Sequence, residues 1–294
     1  MRNVFSGYHP VVNALYFLEV LSFTVCWMHP AALVISVLCA AAYAVCALGA
    51  RTVARRMLWM VPMLLLAAAL NPAFNHRGAT TLAYLPSGNP LTLESVAYGL
   101  AAAALLGAAL LWCGCLHAVL SSDKILYLLG RAAPALSLVL SMSLGFIPRF
   151  RDQARRIAAG QRSLGRSGGT PFQKARNGIR CFSILVTWAL ETSVETADAL
   201  SGRGYGLPGR TAFHLFRFDS RDQRALAFLL CAGVYVLAGV LSGALAWRWF
   251  PVMWGAVPGA YGISVLAAYG MLCCLPLILE GREVRAWKRS ISSI

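Results

Sequence analysis

Residues 30–48 read PAALVISVLCAAAYAVCAL, a helix-length run without a single charged side chain. Runs of this kind recur along the chain, which is 59% hydrophobic and only 13% charged. A soluble domain cannot bury this much apolar side chain, whereas about 20 consecutive apolar residues span a bilayer as a helix. The runs are continuous rather than alternating, which favours helices over a β-barrel. The sequence therefore predicts an all-α fold, a polytopic membrane helical bundle.

Six segments of the chain are long and apolar enough to cross a bilayer. They lie at residues 11–28, 30–48, 57–73, 94–118, 225–247 and 257–279. Clusters of Lys and Arg follow the second, fourth and sixth segments, and the positive-inside rule places such clusters in the cytoplasm. We therefore expect a multi-pass protein of the cell membrane with both termini cytoplasmic.

A shorter apolar run at residues 132–148 is rich in serine and ends at Gly145 and Pro148. Its length fits a half-span, or a steep helix packed against the bundle. If this run crosses fully, the predicted topology holds only when residues 182–190 cross as well. Both interpretations stay open at the level of the sequence.

A basic insert at residues 149–224 interrupts the apolar runs and holds fourteen of the 26 Lys and Arg side chains. It separates N-terminal membrane helices (1–148) from two C-terminal membrane helices with a basic tail (225–294). Apolar residues at helical spacing predict an amphipathic helix from 150 to 164 and a second from about 172 to 199. With a short polar stretch after them, the insert is predicted to form two to three amphipathic cytoplasmic helices.

Each of the two long helices of the insert is predicted to end in a short element of glycine and arginine. These elements are Gln161, Arg162, Ser163, Leu164 and Gly165, and Ser201, Gly202, Arg203, Gly204 and Tyr205. Glycine at a helix end lets another backbone approach closely, and a guanidinium binds a carboxylate through two hydrogen bonds. Anionic lipid headgroups would also attract a basic surface, but they do not account for glycines on both sides of one arginine. We therefore expect these elements to dock a protein partner at the membrane surface.

The sequence has no motif of a nucleotide, metal or catalytic site. None of its three lysines follows a glycine, so it has no P-loop, and it has no H-E-x-x-H pair. Glu191, Glu195 and Asp198 would share a helix face, but no histidine is near them and ion pairing with arginine is the simpler role. We expect no catalytic residue, bound metal or cofactor on this chain. The net charge of +15 indicates cytoplasmic loops rather than a nucleic-acid partner.

Two carboxylates outside the insert have different predicted roles. Thr92 is predicted to be the N-cap of the fourth span, with Glu94 in the first turn, where the helix dipole favours a carboxylate. A capping role is therefore favoured over chemistry at Glu94. Glu19 lies near the middle of the first span, where a carboxylate is costly and is usually functional or paired.

Several motifs, in order along the chain, resemble the transmembrane T component of energy-coupling factor (ECF) transporters, a family that includes the CbiQ-like permeases. Residues 8–10, YHP, are similar to the family's start of the first span. Residues 71–99, which include NPAF and LTLESVAYG, resemble its external loop and the following span. Residues 146–161 resemble the run into its first coupling motif. The most specific likeness is ALSGRGYG at 199–206, which is similar to the second coupling motif.

The resemblance implies two Ala-Arg-Gly-like motifs on cytoplasmic coupling helices, each docked on one of two ABC-type ATPase subunits that bind ATP and Mg. It also implies a small membrane S component that holds the substrate, such as a vitamin or a cobalt ion. This chain would then be a non-enzymatic scaffold that passes ATP-driven movement to the S component. Two alternatives remain open: a membrane enzyme acting on lipid through the carboxylates of the insert, and a conventional ABC permease with its own substrate path.

The two motifs match the family pattern unequally. In the second motif, Arg203 and Gly204 match the arginine and glycine of the family pattern. When the first motif is aligned on its glutamine and glycine, the family arginine falls on Leu164, and Ser163 stands in place of alanine. Arg162 or Arg166 would then have to supply the charge. The sequence alone does not fix the substrate, or whether the two ATPases are identical.

Overall fold

The computed structural model describes residues 4–84, 90–165, 170–205, 207, 216–255 and 259–292. Within these residues it has nine α-helices and one short 3₁₀ helix at Val4–Gly7. The α-helices are α1 (Pro10–Cys26), α2 (Pro30–Leu48), α3 (Ala50–Phe74), α4 (Leu93–Val119), α5 (Ser122–Ala132), α6 (Pro134–Ser163), α7 (Pro171–Gly202), α8 (Ser220–Leu241) and α9 (Ala260–Ser292). Two antiparallel strand pairs complete it: β1 (Thr81–Tyr84) with β2 (Pro90–Thr92), and β3 (Trp247–Arg248) with β4 (Trp254–Gly255). The predicted all-α polytopic bundle is confirmed.

The chain forms two compact units. Unit 1 comprises residues 1–124 and 216–294, and unit 2 comprises residues 125–215. Five of the described helices are long and apolar enough to cross a membrane, namely α2, α3, α4, α8 and the first part of α9. The first predicted span is the shorter apolar helix α1, which has 17 residues.

The fifth predicted span, at 225–247, differs from the structure at both ends. Helix α8 begins before the predicted span, because Asp219 and Asp222 form a capping box that starts the helix at Ser220. The helix also ends before the predicted span does, at Leu241, because the nearby Gly243 has a positive φ of 70°. The last residues of the predicted span belong to a loop and strand β3.

Aromatic and hydroxyl side chains connect the buried faces of α1, α2, α4 and α9. The Trp112 indole donates to Ser36 Oγ at 3.0 Å, and Ser36 Oγ lies 2.8 Å from Thr24 Oγ1. Thr24 Oγ1 in turn lies 3.1 Å from the hydroxyl of Tyr269. The Tyr16 hydroxyl donates to the Cys273 carbonyl at 3.1 Å. Because these groups satisfy one another away from water, they fix the register of the four helices.

A buried lysine closes the end of unit 1 at which α1 begins. Lys124 is only 6% exposed, and its ammonium donates to the carbonyl oxygens of Ser6 and Val119. With the Asn13 amide turned so that its oxygen faces the ammonium, Lys124 also donates to Asn13 Oδ1 at 2.8 Å. Burial lowers the pKa of the Lys124 ammonium. Three oxygen acceptors therefore take the place of the water and carboxylates that usually surround a lysine.

The YHP segment is held against the start of α8. Asp222 accepts a hydrogen bond from the backbone N–H of His9 at 3.1 Å. The Arg221 guanidinium stacks on the Tyr8 ring with its Cζ 4.1 Å from the ring centroid, and the His9 ring lies 4.9 Å from that of Phe218. The first residues of α1 and the point at which the chain returns to unit 1 are thus fixed to each other.

At the opposite end of unit 1 the predicted cap of α4 is present. Thr92 is the N-cap and accepts from the Ser95 N–H at 3.4 Å. Glu94 lies in the first turn and accepts from the Thr80 hydroxyl at 2.8 Å and from its N–H at 3.2 Å. Asn71 donates from Nδ2 to the Ser95 carbonyl at 2.7 Å, which ties the end of α3 to the start of α4. Glu94 therefore holds the preceding loop as well as the helix start.

Unit 2 is built on the pair α6 and α7. Residues 134–163 form one continuous helix, so the apolar run at 132–148 and the amphipathic helix from 150 are not separate elements. The expected end at Pro148 does not occur, and α6 continues through this proline, which lacks one backbone hydrogen bond. The ring of Phe150 lies 5.6 Å from that of Trp188, edge to face, and packs the helix against α7 just beyond the proline. Residues 182–190 lie in the middle of α7.

Candidate docking site at two helix ends

The end of α6 has a defined backbone conformation. Leu164 is the C-cap, with φ −79° and ψ 14°, and the next residue, Gly165, has φ 73°. The Gly165 N–H donates to the Arg162 carbonyl at 2.9 Å. Positive φ is strained for residues with a side chain, so glycine is required for this helix end.

The end of α7 repeats the same conformation. Arg203 is the C-cap, with φ −85° and ψ 11°, and Gly204 has φ 73°. The Gly204 N–H donates to the Ser201 carbonyl at 3.0 Å, and the Tyr205 N–H donates to the Leu200 carbonyl at 3.0 Å, as in a Schellman motif. Leu164 and Arg203 therefore occupy equivalent positions, as do Gly165 and Gly204.

Both helix ends present their tip side chains to solvent. Leu164 is 66% exposed, and Arg203 is exposed as well. Ser163 donates from its hydroxyl to the Ala159 carbonyl at 3.2 Å, so this hydroxyl is occupied within its own helix. Gln161 is half-buried, whereas Ser201, Gly202 and Tyr205 are exposed. The predicted residues thus form two separate groups, one at each helix end.

A cleft of about 370 Å³ lies beside Arg203, between α6 and α7. Its walls are Arg149, Thr192, Glu195, Thr196, Ala199, Leu200 and Arg203. Two guanidinium groups and one carboxylate therefore face the same space, which suits a polar side chain from a partner. Nothing in the sequence distinguishes Arg149 from the other arginines of the insert. It follows a proline in a basic run, and only the packing of α6 on α7 brings it to Arg203.

The two tips lie well apart. Phe150 of α6 packs against Trp188 of α7. Leu164 lies fourteen positions beyond Phe150, and Arg203 lies fifteen positions beyond Trp188, so each tip is about 20 Å along its helix from this contact at 1.5 Å per residue. Two partner surfaces, or two distant parts of one surface, are needed to contact both tips.

The arginines near Leu164 do not take its place in the described structure. Arg162 precedes Leu164 by two residues, and two residues turn about 200° around a helix, so its side chain leaves the opposite side. Arg166 lies outside the described residues. The position equivalent to Arg203 therefore carries an apolar side chain.

The carboxylates of α7 form no metal site in the described residues. Glu191, Glu195 and Asp198 are exposed, and no group of three or more His, Cys, Asp or Glu is close enough to hold a metal there. The ion pair that the structure describes is between Arg155 and Asp152 of α6, at 3.6 Å. Ion pairing of the α7 carboxylates with arginine therefore stays a prediction.

Glu19 lies against α8 in unit 1. A Cβ atom on Gly233 would come within 2.7 Å of Glu19 Oε1, so the carboxylate occupies the space that this glycine leaves. Glu19 Oε2 is buried and has no hydrogen-bond partner among the described residues. The partner expected for this intramembrane carboxylate is not found in the described part of the chain.

Comparison with known proteins agrees with the resemblance seen in the motifs. No protein-family model matches the chain. Over 109 residues it is 32% identical to the energy-coupling factor transporter transmembrane protein EcfT of Lacticaseibacillus paracasei, covering 36% of this chain and 39% of the relative. It is 30% identical over 106 residues to EcfT of Lactobacillus helveticus (35% and 38%) and 31% identical over 107 residues to EcfT 1 of Listeria monocytogenes (35% and 40%). The match spans about two fifths of the length of these curated relatives. Over about a third of its length, this chain is thus homologous to transmembrane components of ECF transporters.

Proposed function

We propose that this chain is the membrane scaffold and energy-coupling subunit of an ECF-type importer. It joins two cytoplasmic ABC-type ATPase subunits to a small membrane S component that binds the substrate, a vitamin or a metal ion. The observation that carries this proposal is the pair of matching helix ends in unit 2, together with the similarity to EcfT. Two long helices that end in the same exposed conformation suit docking to two related subunits.

Arg203 is the central contact at the end of α7. Its guanidinium pairs with a carboxylate of an ATPase subunit, and Arg149 adds a second positive charge in the same cleft. Gly204 lets the partner's backbone approach the helix end. The role of the chain is mechanical, since closure of the ATPase pair moves α6 and α7 and so reorients the S component. ATP and Mg²⁺ belong to the ATPase subunits, and this chain catalyses no reaction.

The same proposal fixes the orientation in the cell membrane. Basic residues follow α2 at Arg51, Arg55 and Arg56, and α9 carries Arg282 and Arg285 near its end. The positive-inside rule places these groups, both termini and unit 2 in the cytoplasm. Unit 2 then lies on the side where ATP is available, with lipid headgroups beside it.

Arg203→Glu tests the proposal. The tagged chain is purified from its native membrane, and the proteins that accompany it are identified by mass spectrometry. We expect two ATPases and a small membrane protein with the wild type. With Arg203→Glu we expect the ATPase subunits to be lost from the purified complex and uptake to be lost, because the new carboxylate repels the carboxylate of the partner. Membrane insertion should be unchanged.

Arg176→Glu is the matched control, because Arg176 is an exposed arginine of the same helix, far from its end. It should retain the ATPases. If Arg203→Glu retains them as the wild type does, or if no ATPase accompanies the wild-type chain, the proposal fails.

A further inference from the structure

Helix α3 is the most exposed of the five long apolar helices. None of the residues in its apolar stretch is buried, whereas the other four helices bury 22–44% of theirs. One side of α3 packs against α4, where a Cβ atom on Gly107 would lie 3.4 Å from Leu64 Cδ1 and one on Gly99 would meet the Ala68 carbonyl. The opposite side of α3 therefore faces whatever surrounds this chain in the membrane.

A stripe of exposed side chains runs along the side of α3 that faces away from α4. Because a helix turns about 100° per residue, five positions of the first half of α3 lie within about 40° of the direction opposite to Leu64. All five are exposed, and they are Arg51, Arg55, Trp59, Pro62 and Leu66. This arginine–tryptophan stripe is basic at the start of the helix and apolar towards its middle.

The two arginines of the stripe lack an anionic partner in the described part of the chain. Neither makes an ion pair there, and α3 itself contains no Asp or Glu. Arg51 and Arg55 are one turn apart, and like charges at this spacing repel each other. The adjacent Arg56 differs from them, because its Nη1 lies against Gly114 of α4, 3.1 Å from the place of an added Cβ. An anion that bridges Arg51 and Arg55 would remove their repulsion.

The spacing along the stripe matches one leaflet of a bilayer. Trp59 lies four residues beyond Arg55, about 6 Å along the helix axis, and its side chain is 80% exposed. Tryptophan favours this level, between the headgroups and the hydrocarbon. Leu66 lies eleven residues beyond Arg55, about 16 Å along the axis, and the hydrocarbon of one leaflet is about 15 Å thick. A phosphate at the arginines would thus place an acyl chain along Pro62 and Leu66.

We propose that the arginine–tryptophan stripe binds one anionic glycerophospholipid. Arg51 and Arg55 both donate to its phosphate, and Trp59 packs against the ester groups of its glycerol. A headgroup with a net negative charge is preferred, because a choline group would bring a positive charge towards the two arginines. This inference requires that α3 crosses the membrane, and it does not depend on which subunits bind unit 2.

The test compares phosphatidylglycerol, which is anionic, with phosphatidylcholine, which is zwitterionic. The full chain is purified in detergent, and native mass spectrometry measures the affinity of each lipid. The wild type should bind phosphatidylglycerol at least about tenfold more tightly, and Arg51→Gln with Arg55→Gln should remove this preference, because charge-assisted hydrogen bonds to the phosphate are lost. Millimolar inorganic phosphate should not displace the lipid, because free phosphate has no acyl chain to pack on α3.

The matched control is Arg282→Gln with Arg285→Gln, which removes two exposed arginines from α9. It changes the net charge by the same amount and should keep the preference for phosphatidylglycerol. Because the substituted side chains of both double variants are exposed, both should elute from gel filtration as the wild type does.

A second measurement locates the bound lipid. Phosphatidylglycerol that carries bromine near the start of its acyl chains quenches the fluorescence of adjacent tryptophan. It should quench the wild type more than brominated phosphatidylcholine does. Trp59→Phe should abolish this excess, because Trp59 is the tryptophan of the stripe.

Four results would overturn the proposal. The first is equal affinity of the wild type for the two lipids. The second is an equal loss of preference in the α3 and α9 double variants, which would mean unspecific attraction to basic helix ends. The third is excess quenching that persists in Trp59→Phe. The fourth is a photo-crosslinking residue at position 66 that labels a polypeptide instead of a lipid in the native membrane, because a partner helix would then cover the stripe.

Discussion

Unit 1 and unit 2 differ in how far their side chains are buried. In unit 1 the side chains of Lys124, Asp222 and Glu94 are buried, and each makes hydrogen bonds with another segment of the same unit. In unit 2, α7 is a helix of 32 residues without a buried residue. Unit 1 therefore satisfies these polar groups within its own fold, whereas the side chains of α7 are left open to contact with other molecules.

The exposed face of α7 is apolar as well as long. Phe172, Ile179, Phe182, Leu190 and Val194 recur at spacings that place them on one side of the helix, and each is more than 60% exposed. Trp188 lies on the other side, against α6. An exposed apolar surface of this extent marks a site of interaction. Substitutions in unit 1 should therefore change stability, and substitutions in unit 2 should change assembly.

Lys124→Met should have the largest effect on stability. The substitution removes the buried ammonium and with it the hydrogen bonds that the carbonyl oxygens of Ser6 and Val119 accept from it. We expect a loss of about 3 kcal/mol in the free energy of unfolding. The measurement is thermal unfolding in detergent, followed by tryptophan fluorescence.

Lys174→Met makes the same chemical change in α7, where the lysine is exposed. It should leave the unfolding midpoint unchanged. Equal effects of the two substitutions would break the comparison between the units.

Two glycine-to-alanine substitutions should change the stability of the protein in opposite directions. At Gly99 of α4 an added Cβ would lie 2.3 Å from the Ala68 carbonyl oxygen, so α3 and α4 would have to separate. We expect Gly99→Ala to lower the free energy of unfolding by about 2 kcal/mol. At Gly178 of α7 nothing lies within 4 Å of an added Cβ, and alanine should stabilise the helix by about 0.8 kcal/mol. Unfolding midpoints of the two variants that shift in the same direction would contradict this account.

The sequence predicts the membrane helices and several of their ends. Apolar length alone locates α2 and α4, because the bilayer sets the number of residues that a span needs. Short-range chemistry predicts Thr92 as a cap and the ends of α6 and α7 at Gly165 and Gly204. These features depend on residues within a few positions of one another.

Features that depend on distant residues were not predicted. In the sequence Lys124 is only one of the positive charges after the fourth span, because its acceptors include Ser6, which is 118 positions away. Pro148 was expected to end a helix, but the contact of Phe150 with Trp188 helps α6 to continue. Arg149 joins the cleft beside Arg203 for the same reason. Tertiary packing decides each of these points.

The smallest expected effect concerns pH and His29, in the loop between α1 and α2. His29 is 6% exposed, its ring lies 5.6 Å from that of Trp247, and burial lowers its pKa. In the unfolded chain the same imidazole takes up a proton near pH 6.5, where the folded protein does not. Its contribution to stability is therefore complete above pH 6.5 and is lost as the pH falls towards the lower pKa of the folded state, by at most about 1.4 kcal/mol per pH unit.

His29→Phe keeps an aromatic ring in this place and removes the proton site. We expect the unfolding midpoint of the wild type to fall more than that of His29→Phe between pH 7.5 and pH 5.5. The difference between the two slopes isolates His29 from the other four histidines, which both proteins retain. Parallel slopes would mean that His29 takes up its proton equally well in the folded protein, and that this end of unit 1 is open to water. Unit 1 would then resemble unit 2 more closely than the comparison states.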